Sequence, residues 1–401
     1  MWLNINKLPS TLMVILLFSS LISFGKKHSE LAHQKSIHFN FYNESIKLIF
    51  NDQILIEGSF QADENSISDF YTKMEFTPYH SLLDNFKTYQ NKFQLNDWLV
   101  YELIRVSVQQ IYEEKNDLQK ELTNWFFLTK AGYDTRLTYL DDYVFVNVHS
   151  DENIFETPLI EVDGKTFVNL SNVHHKVKTK ETYLNMHSLK PNQNGKSFSF
   201  ELKQLPNFKP LEKNKKLTFK WRDQEFKLTI KFDLNLIHVM EHYPLFEEAK
   251  YIQTPLSNSA SASLLPQFKE ILKSKTEIEA LEIIAIFTRS AFRYKDDQDY
   301  FGRNKPMIGD ELFHYPYSDC EDRSALFYYL VNELLRLPMI VIAYDDHLTI
   351  AVATTKSIGR PIRFQNRKYF ICDPTGPHNS EKVGNAPIGY RNRSFEILKT
   401  N

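Results

Sequence analysis

Cysteine and glycine are scarce in this chain: 401 residues hold two cysteines and 11 glycines, and 48 basic side chains nearly balance 50 acidic ones. So few cysteines cannot build a cysteine-based zinc cluster or a disulfide scaffold; one disulfide or one reactive thiol is what they leave open. The glycines show no G-x-G-x-x-G, P-loop or G-x-S-x-G spacing. That removes the common phosphate cradles and the serine nucleophile elbow. A formal net charge of −2 gives no bulk attraction to nucleic acid or anionic lipid, so no nucleic-acid partner is expected. The composition, 42% hydrophobic and 24% charged, argues against wholesale disorder and against collagen-like or multi-span membrane architecture. The length fits two or three domains, each able to bury its own core.

Residues 1–25 read as a targeting segment. Lys7 precedes the apolar run Leu12 to Phe24, and Lys26, Lys27 and His28 end it. The run is short for a bilayer span and right for a signal-peptide core. Ser23 and Gly25 put small residues where cleavage after Gly25 needs them, and no cysteine follows to carry a lipid. Leu8 to Phe24 equally fits an uncleaved N-terminal anchor, the one membrane contact expected. Either way the rest of the chain is expected to be exported, periplasmic or extracellular, where a disulfide is permitted.

The remainder reads as an α+β protein in three parts. Residues 30–180 open with alternating runs around Asn51-Asp52, a hairpin pattern. Helices follow at Asp97 to Glu113 and Asp117 to Lys130, the second closed by Ala131-Gly132. Strands then fall at Arg136 to Leu140, Tyr143 to Val148 and Lys165 to Leu170. The polar stretch His174 to Lys196 reads as a linker. Residues 190–254 read as a β-rich module with strands at Ser197 to Leu202, Lys216 to Trp221 and Phe226 to Phe232. Pro255 to Pro266 reads as a small-residue connector, and residues 260–401 form a second helix-then-sheet unit.

The chemistry concentrates in that last unit. Ser318 and Glu321 are spaced as a capping box ahead of an apolar-periodic helix, which puts Cys320 in its first turn. Free N–H groups and the positive dipole end there are expected to lower the thiol pKa and to receive an oxyanion. After Pro338 a buried strand, the turn Tyr344-Asp345-Asp346 and then His347 open a second strand. A third strand ends at Cys372-Asp373-Pro374-Thr375. Cys320, His347 and Asp373 can thus converge at one sheet edge as nucleophile, proton carrier and orienting group. Tyr294 and Gln298 are candidate polar groups near the oxyanion. A Cys320–Cys372 disulfide competes with this reading, but strand alternation turns Cys372 away if Asp373 faces the site.

Ser318-Asp319-Cys320-Glu321-Asp322, His347 entering a strand, and Cys372-Asp373-Pro374-Thr375 together resemble the transglutaminase-like superfamily of papain-like fold. That family's pattern is a G-D-C-x-D helix start, an H-A-W strand and a D-P-T strand end. The resemblance covers residues 265 to 385. It implies Cys320 as nucleophile, His347 as general base and acid, and Asp373 as orienter, with a protein or peptide substrate and no cofactor or metal. Ser318 stands for the usual glycine, and Leu348-Thr349 stand for Ala-Trp, which leaves the family's tryptophan wall without its residue.

An internal echo accompanies it. Asp117 to Val148 parallels Asp322 to Ala351, and Lys165 to Leu170 parallels Lys368 to Asp373. Asn116 or its neighbours then replace Cys320, Tyr143 replaces His347 and Leu170 replaces Asp373. This is the pattern of a degenerate, non-catalytic copy, or of an unrelated α/β domain with the same element order.

Two other function classes remain. His238-Val239-Met240-Glu241-His242 fits the H-x-x-E-H zinc pattern, which needs both histidines on one helix face. It follows alternating strand residues and precedes Pro244, so it reads as polar residues at a strand end. His174-His175 is a pair without ligand spacing. The other class is a cell-envelope binding or scaffold protein that keeps the fold without turnover.

Overall fold

The computed structural model describes residues 33–174, 183–376 and 382–398, so the targeting segment lies outside the described residues. The chain is a mixture of helices and antiparallel sheets, as an α+β class requires. It begins with the hairpin β1 (Gln34–Phe41) and β2 (Glu44–Asn51), reversed at Tyr42-Asn43 with φ of 44° and 62°. Ile46, Leu48 and Phe50 are buried while Lys47 and Ile49 are exposed, the period of a one-sided strand.

Helices α1 (Glu64–Glu75), α2 (His80–Phe93), α3 (Asp97–Ile111) and α4 (Asp117–Lys130) follow. Asp63, Asn96 and Asn116 each accept a first-turn N–H and so fix three of the helix starts. Then come β3 (Thr135–Leu140), β4 (Tyr143–His149), β5 (Ile154–Phe155), β6 (Leu159–Val162), β7 (Lys165–Asn169) and β8 (Asn185–Met186). All but β5 form one antiparallel sheet of order β6-β7-β4-β3-β8. β8 lies inside the stretch expected to be a linker; its residues are polar or exposed, and pairing with β3 orders them.

The second half repeats the plan. A long hairpin, β9 (Glu212–Trp221) and β10 (Gln224–Asp233), leads into α5 (Leu234–Met240), β11 (Leu245–Phe246), α6 (Glu248–Gln253), α7 (Asn258–Leu272) and α8 (Glu277–Ser290). The short parallel pair β12 (Arg293–Tyr294) and β13 (Tyr317–Ser318) precedes helix α9 (Cys320–Leu335). The chain closes with β14 (Met339–Tyr344), β15 (His347–Val352), β16 (Ile362–Phe364), β17 (Arg367–Ile371) and β18 (Glu396–Leu398). Their order is β16-β17-β15-β14-β18, strand for strand that of the first sheet.

The packing repeats as well. The β1–β2 hairpin packs on α2 and α3, and the β9–β10 hairpin on α7 and α8. α1 and α3 pack on α4, and α6 and α8 on α9. Strand register defines the correspondence closely. Leu140 pairs with Tyr143 across Asp141-Asp142, and Tyr344 pairs with His347 across Asp345-Asp346. Val148 pairs with Val168, and Val352 with Phe370. Tyr143 therefore stands where His347 does, but Ser171 rather than Leu170 stands where Asp373 does. The first half thus has a tyrosine and a serine where the second has His347 and Asp373.

Residues 190–254 have no core of their own. Phe198, Phe200, Leu202 and Phe208 enter the core of the first half, while Leu217, Phe219, Leu228 and Ile230 enter that of the second. Ser197 to Leu202 is extended outside any ladder, its apolar side chains buried and its backbone N–H groups at Phe198, Ser199 and Phe200 bonded to the His149 carbonyl, Asp97 and Glu152. The expected connector at Pro255–Pro266 is mostly helix α7. Ser257 Oγ accepts from Ala260 N at 3.2 Å, and the buried Asp310 carboxylate binds Ser257 in turn. With its start fixed, α7 packs on β10 and carries Pro266 inside it. Among the described residues no helix is long and apolar enough to cross a membrane.

Candidate active site

The start of α9 is built one residue later than the spacing suggested. Ser318 belongs to β13, and its hydroxyl accepts from Arg323 Nε at 3.1 Å. Asp319 is the residue before the helix, and Asp322 closes the box by accepting from Asp319 N at 3.0 Å. Its other oxygen accepts from Met307 N at 2.9 Å. Cys320 is thus the first helical residue.

His347 and Asp373 meet at the edge of the second sheet. His347 opens β15, and Asp373 follows the end of β17, the strand beside it. Nε2 of His347 lies 3.3 Å from Asp373 Oδ1. The same Oδ1 accepts from Thr375 Oγ1 at 2.7 Å and Thr349 Oγ1 at 3.2 Å, and Gly376 N donates to Oδ2 at 3.1 Å. Arg289 donates to the Asp373 carbonyl through Nε at 2.8 Å. Burial works to raise the Asp373 pKa; the bond to His347 and its charge, Thr375 and Arg289 outweigh it and hold the carboxyl below its ordinary value.

Helix α9, which begins at Cys320, packs on β15, which begins at His347. The backbone N–H of Leu348, the residue after His347, points at the Cys320 sulfur. The thiol itself donates to Glu321 Oε2 at 3.0 Å. Burial, then the Glu321 charge and hydrogen bond, then the Asp319 charge push its pKa far above the ordinary thiol value. This reverses the lowering expected from a helix start: the dipole end is present, but neighbouring carboxylates oppose it.

Those carboxylates form a cluster. Asp297, Asp319 and Asp322, all buried, bring ligand atoms within 4.8 Å of one another, as do Asp319, Cys320 and Glu321. Asp319 Oδ1 is buried without a hydrogen-bond partner. Burial and the charges of Asp322, Glu321 and Asp297 push Asp319 far above its ordinary value, and burial pushes Asp297 up to about 6. Acidic clusters occur without metals, and this geometry alone assigns no ion to it.

A cavity of about 1120 Å³ opens in front of His347 and Asp373. Phe292, Tyr294, Tyr317 and Tyr390 line it. The Tyr390 ring lies 4.7 Å from the imidazole, centroid to centroid, and gives the cavity an aromatic wall beside His347. Nothing in the spacing signalled Tyr390, which arrives from the far end of the chain. Tyr294 lines the cavity, whereas Gln298, on the single turn Asp297–Tyr300, is exposed and does not.

Both cysteines are free thiols, so the Cys320–Cys372 disulfide is absent. Cys372 is fully buried in the core of the second half, where burial pushes its pKa up to about 12. His238 lies in α5 rather than at a strand end, but the helix stops at Met240 and leaves Glu241 and His242 beyond it. No cluster of metal-capable groups among the described residues includes them. Set against known proteins, the chain matches no protein-family model, no curated protein and no solved structure.

Proposed function

We propose that this chain is an exported cysteine-dependent acyl-transfer enzyme of transglutaminase-like type, acting on protein or peptide amides through Cys320, His347 and Asp373. The observation that carries the reading is the His347–Asp373 pair with the Cys320 sulfur at the N–H of the next residue, Leu348. Asp373 engages Nε2, which leaves Nδ1 as the nitrogen that exchanges a proton with the thiol. Cys320 loses its proton to His347 as sulfur bonds the amide carbon. The carbon–nitrogen bond then breaks as His347 returns that proton to the leaving amine. The thioester passes its acyl group to water, or to a second amine. The Cys320 N–H, unpaired at the first helical position, is placed to receive the oxyanion.

A second reading has its own observation. The thiol donates to Glu321 inside an acidic cluster, a state that opposes thiolate formation and suits an envelope binding protein that keeps the fold without turnover. Labelling with a thiol-directed electrophile at neutral pH separates the two. Loss of labelling in Cys320→Ala but not in Cys372→Ala is expected for the enzyme. Equal, slow labelling of both cysteines in the wild type counts for the binding protein.

A further inference from the structure

A second cavity, about 640 Å³, lies along the seam of the two halves, where β5 pairs with β11 through Phe155–Leu245 and Ile154–Phe246. Phe155, Leu245, Phe246 and the β18 residues Ile397 and Leu398 give it an apolar lining. Its charged groups are Glu156, Glu247 and Glu248, with no lysine, arginine or histidine. In a chain with 48 basic and 50 acidic residues that is a local departure. Glu156 and Glu248 are exposed and have no hydrogen bond or ion pair among the described residues. Glu247 accepts from Asn153 Nδ2 at 2.7 Å.

This groove lies on the α6 side of the helix that begins at Cys320. Helix α6, which begins at Glu248, packs on α9. Glu248 feels the Glu321 charge, and Glu321 accepts from Cys320 Sγ. On the opposite flank, the cavity that holds His347 is lined by Arg289, Arg293 and Arg323 against one carboxylate, Asp373. The two cavities are thus of opposite sign, one in front of His347 and the other beside α6, which packs on the helix that begins at Cys320.

The geometry points to the acidic groove as the subsite for a lysine or arginine of the substrate polypeptide, its stem on the Phe155–Leu245 surface and its cation among Glu156, Glu247 and Glu248. This rests on the acyl-transfer reading and names the substrate class it would take. A long basic side chain fits both parts of the lining, because its methylenes cover apolar surface while its head stays polar. A bare metal ion would use the carboxylates and leave the apolar half empty. Unpaired like charges facing one pocket gain most from an incoming cation, which gives discrimination and register more than raw affinity.

The test uses full-length Cys320→Ala protein, which binds without turning over, and fluorescent peptides differing at one residue: lysine, arginine, citrulline or glutamate. Lysine and arginine peptides are expected to bind at least about tenfold tighter than citrulline, and glutamate weakest. Glu156→Gln/Glu248→Gln should erase that order, and a chelator should leave it intact. Equal binding of all four peptides, or a preference unchanged in the double variant, overturns the assignment. So does a preference that appears only with a divalent cation present. If the charge order holds while the Cys320 protein shows no acyl-enzyme by intact mass, the groove stands and the catalytic reading falls.

Discussion

Asp373 holds His347 by Nε2 at 3.3 Å, and the carboxylate doing so is itself fixed by two threonine hydroxyls and a backbone N–H. Removing its charge while keeping its shape isolates that role. Asp373→Asn is expected to slow Cys320-dependent turnover by roughly 10²–10⁴, the scale seen when a triad carboxylate becomes an amide. The same variant should slow Cys320 alkylation at neutral pH while Cys372 stays inert. Rates within about twofold of wild type would mean that His347 acts without Asp373.

Glu321 opposes ionisation of the Cys320 thiol. After burial, its charge and its bond to Sγ are the largest causes of the raised Cys320 pKa. Glu321→Gln removes the charge, so the pKa should fall and the thiolate fraction at neutral pH should rise. A fall of about one unit gives roughly tenfold faster alkylation. The rate–pH profile is the measurement: the variant's curve should shift to lower pH, and an unmoved curve rules out this electrostatic restraint.

How much of this was legible depended on the range of the interactions. The bounds of α4, Asp117–Lys130, follow from a capping Asn116 and a closing Ala131-Gly132, all local. The turn that delivers His347 is likewise written in Tyr344-Asp345-Asp346. Helix α7 was illegible because its serines, alanines and Pro266 argue for a connector, and only packing on β10 makes them helical. The thiol's environment failed for the same reason. Glu321 and Asp319 are the thiol's sequence neighbours, but the burial that chiefly raises its pKa is set by the fold and carries no local pattern. The one-residue error at Ser171 came from aligning composition without the β4–β7 register.

Buried carboxyls make stability fall as pH rises. Burial chiefly pushes Asp297 and Asp310 up from 3.8 to about 6, with added repulsion from Glu321 and from Asp233, respectively. Each holds its proton more tightly folded than unfolded. Their stabilisation is complete below the unfolded value of 3.8 and is lost as pH climbs through about 6. Asp373 has the opposite sign: its contribution is present above 3.8 and is lost as pH falls through its lowered folded value. The urea midpoint should therefore be higher at about pH 5 than at about pH 8. Asp297→Asn should narrow the difference by about 1.4 kcal/mol. A midpoint that rises between those two pH values would show that these carboxyls ionise freely in the folded chain.

Arg323 ties the site's supports together from beneath. Its buried guanidinium donates to Ser318 Oγ at 3.1 Å, to the carbonyls of Arg289 and Thr375 at 3.2 Å, and to that of Phe292 at 2.8 Å. Those acceptors belong to the strand before Cys320, the end of α8 and the turn after Asp373, so one side chain ties together the segments that carry Cys320 and Asp373. Burial lowers its pKa, yet a guanidinium remains charged at any working pH. Arg323→Met strands four acceptors in the interior and should cost about 3–5 kcal/mol in urea unfolding. Arg323→Lys should recover only part, because an ammonium cannot span the fork of acceptors. Under conditions where Arg323→Lys is folded, its Cys320 alkylation rate should still lag the wild type. A lysine variant with normal stability and normal alkylation would assign this guanidinium no part in positioning the site.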